Sequence, residues 1–306
     1  METRRIGALE VSVVGLGCNN FGGRIDEPRT REVIDVALEA GITLFDTADN
    51  YGGTLSETFI GRALTGRRDR VVLATKFGGW SAEAGRETGG SAANVRASVE
   101  ASLRRLGTDR IDLFQMHTPD AETPIAETLG ALDQLVREGK VREIGCSNLT
   151  SAQLGEADAA VSDGCARFAS VQNELSLLEP GDVDDCLPEA DRLGLAYLPY
   201  FPLASGLLTG KVRRGEPVPE GTRIAGWAAD RRDATLTDAT FDRLEALEAF
   251  ARDRGHTLLE LAFAWLLKQS PVASVIAGAT SVEQVRANVA AGEWRLAEDE
   301  NIGVPA

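Results

Sequence analysis

The chain has 306 residues, and 43% of them are hydrophobic, which is enough for a full globular core in one large domain or two ordinary ones. Its 32 basic and 47 acidic residues give a formal net charge of −15 at pH 7. That charge argues against nucleic acid and anionic membranes as partners. No apolar run is long enough to span a bilayer, and with two histidines we expect no metal site.

The cysteines are Cys18, Cys146, Cys165 and Cys186, and they show no CxxC spacing. Because the first residues also lack the features of a signal peptide, we expect a reduced, cytoplasmic protein. Cys146 lies one predicted strand beyond His117, which raises the alternative of a thiolate nucleophile. No orienting third group accompanies this pair, and a small buried thiol at a strand end is common.

The chain begins with residues that alternate loosely around Gly7 from position 4 to 14, a pattern that predicts a small β-hairpin. Residues 11–17 predict a short strand that ends in glycines. The segment Gly15-Leu16-Gly17 does not complete a Rossmann fingerprint, because the third glycine is missing.

Further along, apolar strand patterns alternate with amphipathic helix patterns. The predicted strands are 42–46, 71–76, 111–117, 141–146, 169–173, 195–200 and 272–277. The predicted helices are 30–40, 56–64, 92–106, 125–138, 151–162, 183–193, 239–253, 257–269 and 282–290. Ser56 is predicted as the N-cap of the second helix. Residues 203–236, rich in Gly and Pro, predict a long loop after the seventh strand, of a length that is usually functional, such as a lid.

Eight strand–helix units without a shift in composition favour one (β/α)8 TIM barrel over residues 1–306 rather than a doubly wound sheet. Polar residues end the second to the seventh strands: Asp46, Lys76, His117, Asn148, Gln172 and Tyr200. In a barrel these carboxyl ends converge on one face, where active sites are built.

The stretch Phe45–Gly53 places a phenol, Tyr51, on a glycine-flanked turn five residues after Asp46. A tyrosine with a reference pKa of about 10 is a poor acid near neutrality, and an ammonium beside it lowers that pKa. We therefore expect Lys76 to tune Tyr51, Asp46 to hold Lys76, and His117 to donate to the substrate oxygen or relay the proton. This set suits protonation of an alkoxide formed from a carbonyl, and it needs a hydride donor. Taken alone, Asp46 and Lys76 are equally consistent with a structural ion pair.

The motifs carry a family resemblance. They are Gly15-Leu16-Gly17, Phe45-Asp46-Thr47-Ala48 with Tyr51-Gly52, Thr75-Lys76-Phe77-Gly78, Asp112–His117, Gly139–Asn148, Val171-Gln172-Asn173, Pro202–Lys211 and Ile276–Ala279. In this order and spacing the chain resembles an aldo-keto reductase over almost its whole length. The likeness is to bacterial members that resemble potassium-channel β-subunits and general stress-type reductases.

The resemblance implies a catalytic tetrad of Asp46, Tyr51, Lys76 and His117, with Tyr51 as general acid in reduction. It also implies an extended nicotinamide cofactor across the barrel mouth. Tyr200 would stack on the nicotinamide ring, and Ser147, Asn148 and Gln172 would bond its carboxamide. The implied contacts elsewhere along the cofactor are Gly17, Cys18, Asn19, Asp46, Phe201, Pro202, Leu203, Ser205, Gly206, Leu207, Lys211, Arg223, Gly278, Ala279, Thr280, Gln284 and Asn288.

Two positions differ from the family pattern in ways that affect cofactor choice. Members that hold the 2′-phosphate firmly often have Lys or Arg where this chain has Gly278 and Gln284. Thr280 and Ser281 can still bond a phosphate, and Arg223 can close over it. We therefore expect NADPH, with NADH as the alternative. Phe201 also replaces a serine that many members carry after the stacking tyrosine.

The substrate pocket is expected to include Asn19, Phe21, Trp80 and Trp227, which would suit an apolar or aromatic aldehyde. Trp227 is alternatively a residue that packs the lid. The sequence thus predicts an NADPH-dependent reductase of a small-molecule carbonyl, with the oligomeric state left open. The first alternative is a redox-sensing regulatory subunit that binds the cofactor with little turnover. A cofactor-independent barrel lyase or isomerase would leave Ser147, Asn148, Gln172 and Tyr200 without a role.

Overall fold

A computed structural model describes residues 1–81, 86–87, 89–162, 164–297, 299–300 and 302, including all their side chains except those of 80, 81, 86 and 87. Within this part of the chain, eight parallel strands form one sheet that curls into a nearly closed barrel. They are β1 Val14–Gly17, β2 Leu44–Asp46, β3 Val72–Phe77, β4 Ile111–Met116, β5 Val141–Ser147, β6 Phe168–Glu174, β7 Ala196–Tyr200 and β8 Val275–Gly278. The predicted (β/α)8 architecture is confirmed.

The barrel closes between β7 and β8, where the ladder is sparse. Among the described residues, a single parallel β-bridge joins Tyr197 of β7 to Val272, which lies just ahead of β8. The Tyr197 amide donates to the Pro271 carbonyl at 2.6 Å, and the Ala273 amide donates to the Tyr197 carbonyl at 3.0 Å. Residues 272–274 lie at this junction, before the regular pairing with β1 starts. The strand β8 therefore begins at Val275, three residues later than the sequence pattern predicted.

The helices lie on the outside of the barrel. They are α1 Glu27–Glu39, α2 Leu55–Ala63, α3 Ala92–Leu106, α4 Ile125–Arg137, α5 Ser151–Ala159, α6 Cys186–Leu193, α7 Ala229–Thr235, α8 Asp238–Arg252, α9 Leu258–Lys268 and α10 Val282–Ala291. In α3, Val95, Val99 and Leu103 recur at a spacing of four and are buried, so the helix presents one apolar stripe to the sheet. Within the described residues, no helix combines the length and apolarity needed to cross a membrane.

The predicted N-cap of α2 is wrong. The helix begins at Leu55, and Thr54 occupies the cap position without a side-chain bond. Ser56 is fully buried instead, with its hydroxyl 2.8 Å from Thr47 Oγ1 and donating to the Cys18 carbonyl at 3.0 Å. Ser56 therefore ties α2 to the ends of β1 and β2.

The segment after β7 is long, as predicted, but it contains more regular structure than a simple loop. It includes 3₁₀ turns at Ala204–Thr209 and Ile224–Gly226 and the short helix α7. Arg213 pairs with Glu248 at 3.1 Å on α8. Arg214 bonds three carboxylates of the same helix, those of Asp238, Asp242 and Glu245. These ion pairs anchor the start of the segment against the barrel wall.

The predicted N-terminal hairpin, Thr3–Ile6 with Leu9–Ser12, closes the lower end of the barrel. One apolar cluster joins it to the barrel interior: Ile6, Leu9, Val11, Leu44, Ala74, Leu113, Ala169, Ala196, Leu198, Ala273 and Ile276. Side chains two residues apart on a strand point to the same face. The next inward positions on β2, β3, β4 and β7 are therefore Asp46, Lys76, Gln115 and Tyr200. An apolar plug below thus supports a polar layer above.

Candidate active site

The centre of the polar layer is a buried ion pair. Lys76 is 0% exposed, and its Nζ donates to Asp46 Oδ2 at 2.7 Å and to the Thr47 carbonyl at 2.9 Å. The same Nζ lies 3.5 Å from the Tyr51 hydroxyl and 5.1 Å from the centroid of its ring. The ammonium therefore joins the carboxylate to the phenol, as the sequence predicted.

The protonation states of this group follow from burial and from the pair itself. Burial acts to lower the pKa of Lys76, but Asp46 and then Tyr51 outweigh it, so the net pKa is raised. Burial is the largest influence on Tyr51 and raises its pKa, the Lys76 ammonium lowers it, and the Asp46 charge raises it again, so the net pKa is raised. The expectation of a lowered Tyr51 pKa is therefore wrong for the free protein, because burial together with the Asp46 charge outweighs the Lys76 ammonium. Tyr51 is consequently protonated at neutral pH, the form that a proton donor requires.

A glycine turn presents Tyr51. Residues Tyr51–Thr54 form a 3₁₀ turn in which Gly52 and Gly53 have φ values of 58° and 63°. A Cβ at Gly52 would lie 2.4 Å from the Phe21 carbonyl oxygen. Glycine is required at this position both by its left-handed backbone and by the close approach of the loop after β1.

His117 faces the same phenol. Its ring centroid lies 5.9 Å from that of Tyr51, with an interplanar angle of 78°. Burial, with a smaller contribution from Lys76, lowers the pKa of His117 to about 3. Its Nδ1 is buried, and a Cβ at Gly79 would lie 2.7 Å from that atom. The imidazole is therefore neutral throughout the physiological range, and it packs so closely against Gly79 that a larger residue there would displace it.

Two amides bind the other oxygen of Asp46. Gln172 Nε2 donates to Asp46 Oδ1 at 3.0 Å, and Gln115 Nε2 donates to it at 3.1 Å. Gln172 Nε2 also lies 3.4 Å from Gln115 Oε1. Gln115 was missed by the sequence analysis because it is not at a strand end. Its position two residues after the inward-facing Leu113 is the signal that would have found it.

A further set of polar side chains, Ser147, Asn148 and Tyr200, comes from the ends of β5 and β7. The Ser147 hydroxyl donates to the Gln172 carbonyl at 2.7 Å, and Asn148 Nδ2 donates to the His117 carbonyl at 2.9 Å. The Tyr200 hydroxyl donates to Asn148 Oδ1 at 2.9 Å. Asn148 has a φ of 62°, a left-handed conformation that asparagine tolerates better than most residues. These side chains form a polar rim beside the tetrad.

A groove with a cavity volume of about 470 Å³ runs from this rim to the start of α10. It brings together Tyr51 and His117 with most of the predicted cofactor residues: Gly17, Cys18, Asn19, Asp46, Ser147, Asn148, Gln172, Tyr200, Phe201, Pro202, Leu203, Ser205, Gly206, Lys211, Arg223, Gly278, Thr280, Gln284 and Asn288. Leu207 and Ala279 are buried below the surface and do not line it. Asn20 and Arg24 line the groove and were missed.

The segment after β7 reaches across the groove to the loop after β1. Arg223 Nη2 donates to Asn19 Oδ1 at 3.2 Å and to Asn20 Oδ1 at 3.1 Å. Arg24 Nη2 donates to the Gly221 carbonyl at 2.8 Å. Burial, followed by the charge of Arg24, lowers the pKa of Arg223, and among the described residues no carboxylate lies within 4 Å of either guanidinium. The crossing point is therefore positively charged in an otherwise acidic protein.

The far end of the groove is the amino end of α10. Thr280 donates to Gln284 Oε1 from its amide at 2.7 Å and from its hydroxyl at 3.1 Å. The Ser281 hydroxyl accepts from the Gln284 amide at 3.3 Å and caps the helix. Arg286, on the same helix, is exposed. Thr280 and a helix N-terminus, rather than a lysine or arginine on this helix, therefore face the groove here.

The predicted substrate pocket is brought together only in part. Asn19 lines the groove. Phe21 is 0% exposed and belongs to the core, so it does not reach the groove. Trp227 packs against the core, with the Arg231 guanidinium 4.0 Å from its ring centroid, and does not line the groove either. The side chain of Trp80 lies outside the described residues.

Comparison with known proteins is consistent with this geometry. A model of the aldo/keto reductase family matches residues 13–302. The chain belongs to that family. A probable aldo-keto reductase 1 of Glycine max is 34% identical over 298 residues, which are 95% of this chain and 83% of the relative. Family membership identifies the chain as an oxidoreductase of a type that uses nicotinamide cofactors.

Two solved structures from the family resemble this aldo-keto reductase closely. Aldo-keto reductase AKR11C1 from Bacillus halodurans, in its holo form, has a TM-score of 0.80 and 34% identity, covering 97% of this chain and 93% of its own. The glycerol dehydrogenase AKR11B4 from Gluconobacter oxydans has a TM-score of 0.81 and 31% identity, covering 96% and 91%. The barrel is thus that of the family.

Proposed function

We propose that this protein reduces an aldehyde or ketone to an alcohol with NADPH, with Tyr51 as the general acid. The observation that carries the proposal is the continuous contact from Asp46 through Lys76 to the Tyr51 hydroxyl, which opens onto the groove. A structural ion pair alone would not need a phenol at its exposed end. The Asp46–Lys76 pair therefore has a chemical role in addition to its structural one.

The residues of the groove fit a nicotinamide. Its carboxamide needs both donors and acceptors, and Ser147, Asn148 and Gln172 provide hydroxyl and amide groups on one wall. Tyr200 provides an aromatic face beside them. The Tyr200 hydroxyl bonds Asn148 in the free protein, so that bond must rearrange when Asn148 takes up a new partner. The cofactor, when bound, supplies the hydride that no amino-acid side chain can supply.

The side chains then divide the proton chemistry between them. Tyr51, protonated at neutral pH, gives its proton to the carbonyl oxygen as charge develops there. Lys76 stabilises the phenolate that remains, and Asp46 holds Lys76 in position. His117, neutral at physiological pH, orients the same oxygen by a hydrogen bond without competing as a charged acid.

The preference for NADPH rests on charge. Arg223 and Arg24 place two guanidinium groups on the groove, and among the described residues neither is neutralised by a carboxylate. Arginine without an acidic partner is well suited to phosphate, which it binds through two parallel hydrogen bonds. Gly278 and Gln284 are not basic, so NADH is the competing cofactor. Comparing the dissociation constants for NADPH and NADH decides between the two cofactors.

The test is a fluorescence titration with NADPH and NADH, followed by turnover with a panel of carbonyls. Because Phe21 and Trp227 do not line the groove, the panel should combine aromatic aldehydes with small hydroxylated aldehydes and ketones. The glycerol dehydrogenase of Gluconobacter oxydans makes the second class worth testing. Tyr51→Phe should abolish turnover while leaving the dissociation constant for NADPH within about threefold, because only the hydroxyl is lost. Full activity in that variant would refute the mechanism.

A matched variant, Tyr200→Phe, separates the two phenols. It keeps the ring that stacks and removes the hydroxyl that bonds Asn148. We expect measurable turnover in this variant and none in Tyr51→Phe. Loss of turnover in both would mean that the assay reports damage to the rim rather than loss of an acid.

The second candidate function is a cofactor-binding redox sensor with little turnover. The observation that favours it is the double connection across the groove, Arg24 to Gly221 and Arg223 to Asn19 and Asn20, which would slow exchange of a bound cofactor. Tight NADPH binding without reduction of any carbonyl in the panel would support this function over the reductase.

A further inference from the structure

Gln115 is a buried polar residue that is not part of the predicted tetrad and does not line the groove. It lies on β4 with 0% exposure, inside the barrel rather than at its rim. A buried amide at such a position costs free energy unless its groups are bonded. Its bonds therefore indicate why it is there.

Both ends of the Gln115 amide are directed to the active site. An ionised carboxylate can only accept hydrogen bonds, so Asp46 fixes the amide with its NH2 group toward Oδ1. The Gln115 carbonyl then faces the NH2 group of Gln172, 3.4 Å away. Gln115 therefore contacts the residue that holds Lys76 and a residue of the proposed carboxamide site.

The neighbouring strand leaves room for this side chain. Gln115 pairs in register with Gly145 on β5. A Cβ at Gly145 would lie 3.2 Å from Gln115 Cγ and 2.5 Å from Ser170 Oγ, so a larger residue would displace one of them. Gly145 therefore leaves the space that the Gln115 side chain occupies next to Asp46.

The balance of bonds on Asp46 determines where the Lys76 ammonium lies. Lys76 binds Oδ2 at 2.7 Å, and the two amides share Oδ1. With one amide missing, more of the carboxylate charge is left for Lys76 alone. The ammonium is then drawn toward Asp46 and away from the Tyr51 oxygen, which is already its most distant partner at 3.5 Å.

We propose that Gln115 is a positioning residue for carbonyl reduction: through Asp46 it holds Lys76 within reach of Tyr51, and through Gln172 it links the carboxamide site to the proton donor. The proposal rests on the function proposed above. It assigns Gln115 no contact with substrate or cofactor.

The first experiment compares kcat, KM and their pH dependence in two variants. Gln115→Met fills the same space without hydrogen bonds and should lower kcat about tenfold at every pH, with KM for the carbonyl within about threefold. In Gln115→Glu, a protonated carboxyl can still donate to Asp46, but an ionised one repels it. We expect kcat in this variant to approach the wild-type value at about pH 5.5 and to fall as the pH rises.

Thr128→Val is the control. Thr128 is buried, and its hydroxyl donates to the Gly90 carbonyl at 2.8 Å, away from the tetrad. It should lose stability as Gln115→Met does, but with kcat and its pH profile unchanged. Equal kcat values in Gln115→Met and the wild type, or a Gln115→Glu profile parallel to that of the wild type, would overturn the proposal.

A second experiment needs no turnover. The chain has three tyrosines, so a protein labelled with ¹³C at the tyrosine ζ carbon gives three assignable signals, and the one missing in Tyr51→Phe belongs to Tyr51. Gln115→Met should shift that signal, and Thr128→Val should not. If the wild type reduces no carbonyl but the signal shifts, the proposed function fails and the link from Gln115 to Tyr51 stands. An unshifted signal refutes the link whether or not the protein is active.

Discussion

Replacing Lys76 by methionine should destabilise the protein strongly. The substitution keeps a long apolar side chain but leaves Asp46, which is 4% exposed, as a buried charge without a counter-ion. Breaking a buried pair in this way costs about 3–5 kcal/mol. Because Gln115 and Gln172 still donate to Asp46 Oδ1, we expect the lower end, about 3 kcal/mol.

The matched variant removes both charges. Asp46→Asn combined with Lys76→Met has no buried charge, so it should recover at least about 1.5 kcal/mol relative to Lys76→Met alone. Urea unfolding of the wild type, both single variants and the double variant measures the cycle. Both Lys76→Met and the double variant should lack turnover, which separates the role of the pair in folding from its role in chemistry. A loss below about 1 kcal/mol in Lys76→Met, or no recovery in the double variant, would refute the reasoning.

The pH dependence of the same difference has a definite sign. The pKa of Lys76 is raised in the folded protein, so the stability that it contributes is fully present below the pKa of an unfolded lysine, about 10.4. It is lost as the pH rises through the folded pKa. The difference between the wild type and Lys76→Met should therefore stay constant from about pH 6 to 9. A steady decline across that range would show that another group is responsible.

Three further predictions concern other residues. His117, with its pKa lowered to about 3, should show no titration in imidazole NMR spectra between about pH 5 and 8, and its contribution to stability should be lost as the pH falls below about 6.5, because the unfolded state then binds the proton. Asp49 has its pKa raised to about 7, first by burial and then by Glu57, so in urea unfolding Asp49→Asn should stabilise the protein by about 2 kcal/mol at pH 8, by progressively less as the pH falls from about 7, and by little below about pH 4, the pKa of an unfolded aspartate. Thr257→Ala should lose about 1 kcal/mol in the same assay, because Thr257 and Glu260 form the reciprocal capping box at the start of α9.

The sequence predicted the barrel because its strands are apolar runs that alternate with helix patterns, and the second to the seventh of them end in a polar residue. Asp46, Lys76 and Gln172 were found on that basis, since parallel strands bring their carboxyl ends to one face. Gln115 was not found, because the predicted strand ran on to His117 and only the polar residue at its end was considered. Side chains alternate between the inside and the outside of the barrel along a strand, so counting two residues on from the inward-facing Leu113 would have placed Gln115 inside.

Other features depend on tertiary structure and have no local signal. Ser56 has the sequence context of a helix cap, but burial against Thr47 and Cys18 takes its hydroxyl elsewhere. The direction of the Tyr51 pKa shift depends on how completely the site is desolvated, which spacing along the chain does not encode. Phe21 is an aromatic residue on a predicted loop, a type that suits a substrate pocket, but its side chain is fully buried in the core.

The sparse seam between β7 and β8 has a consequence for the motion of the barrel. In the described residues the two edges are joined near Tyr197 and Ala273 at the lower part of the wall, while Tyr200 and Gly278 at the upper ends both line the groove. A ligand that lies along the groove contacts both edges and so links β7 to β8, where the backbone hydrogen bonds between neighbouring strands are sparse. Amide hydrogens of the seam should then exchange with solvent more slowly when the groove is filled, which makes the seam itself a reporter of occupancy that requires no chemistry to take place.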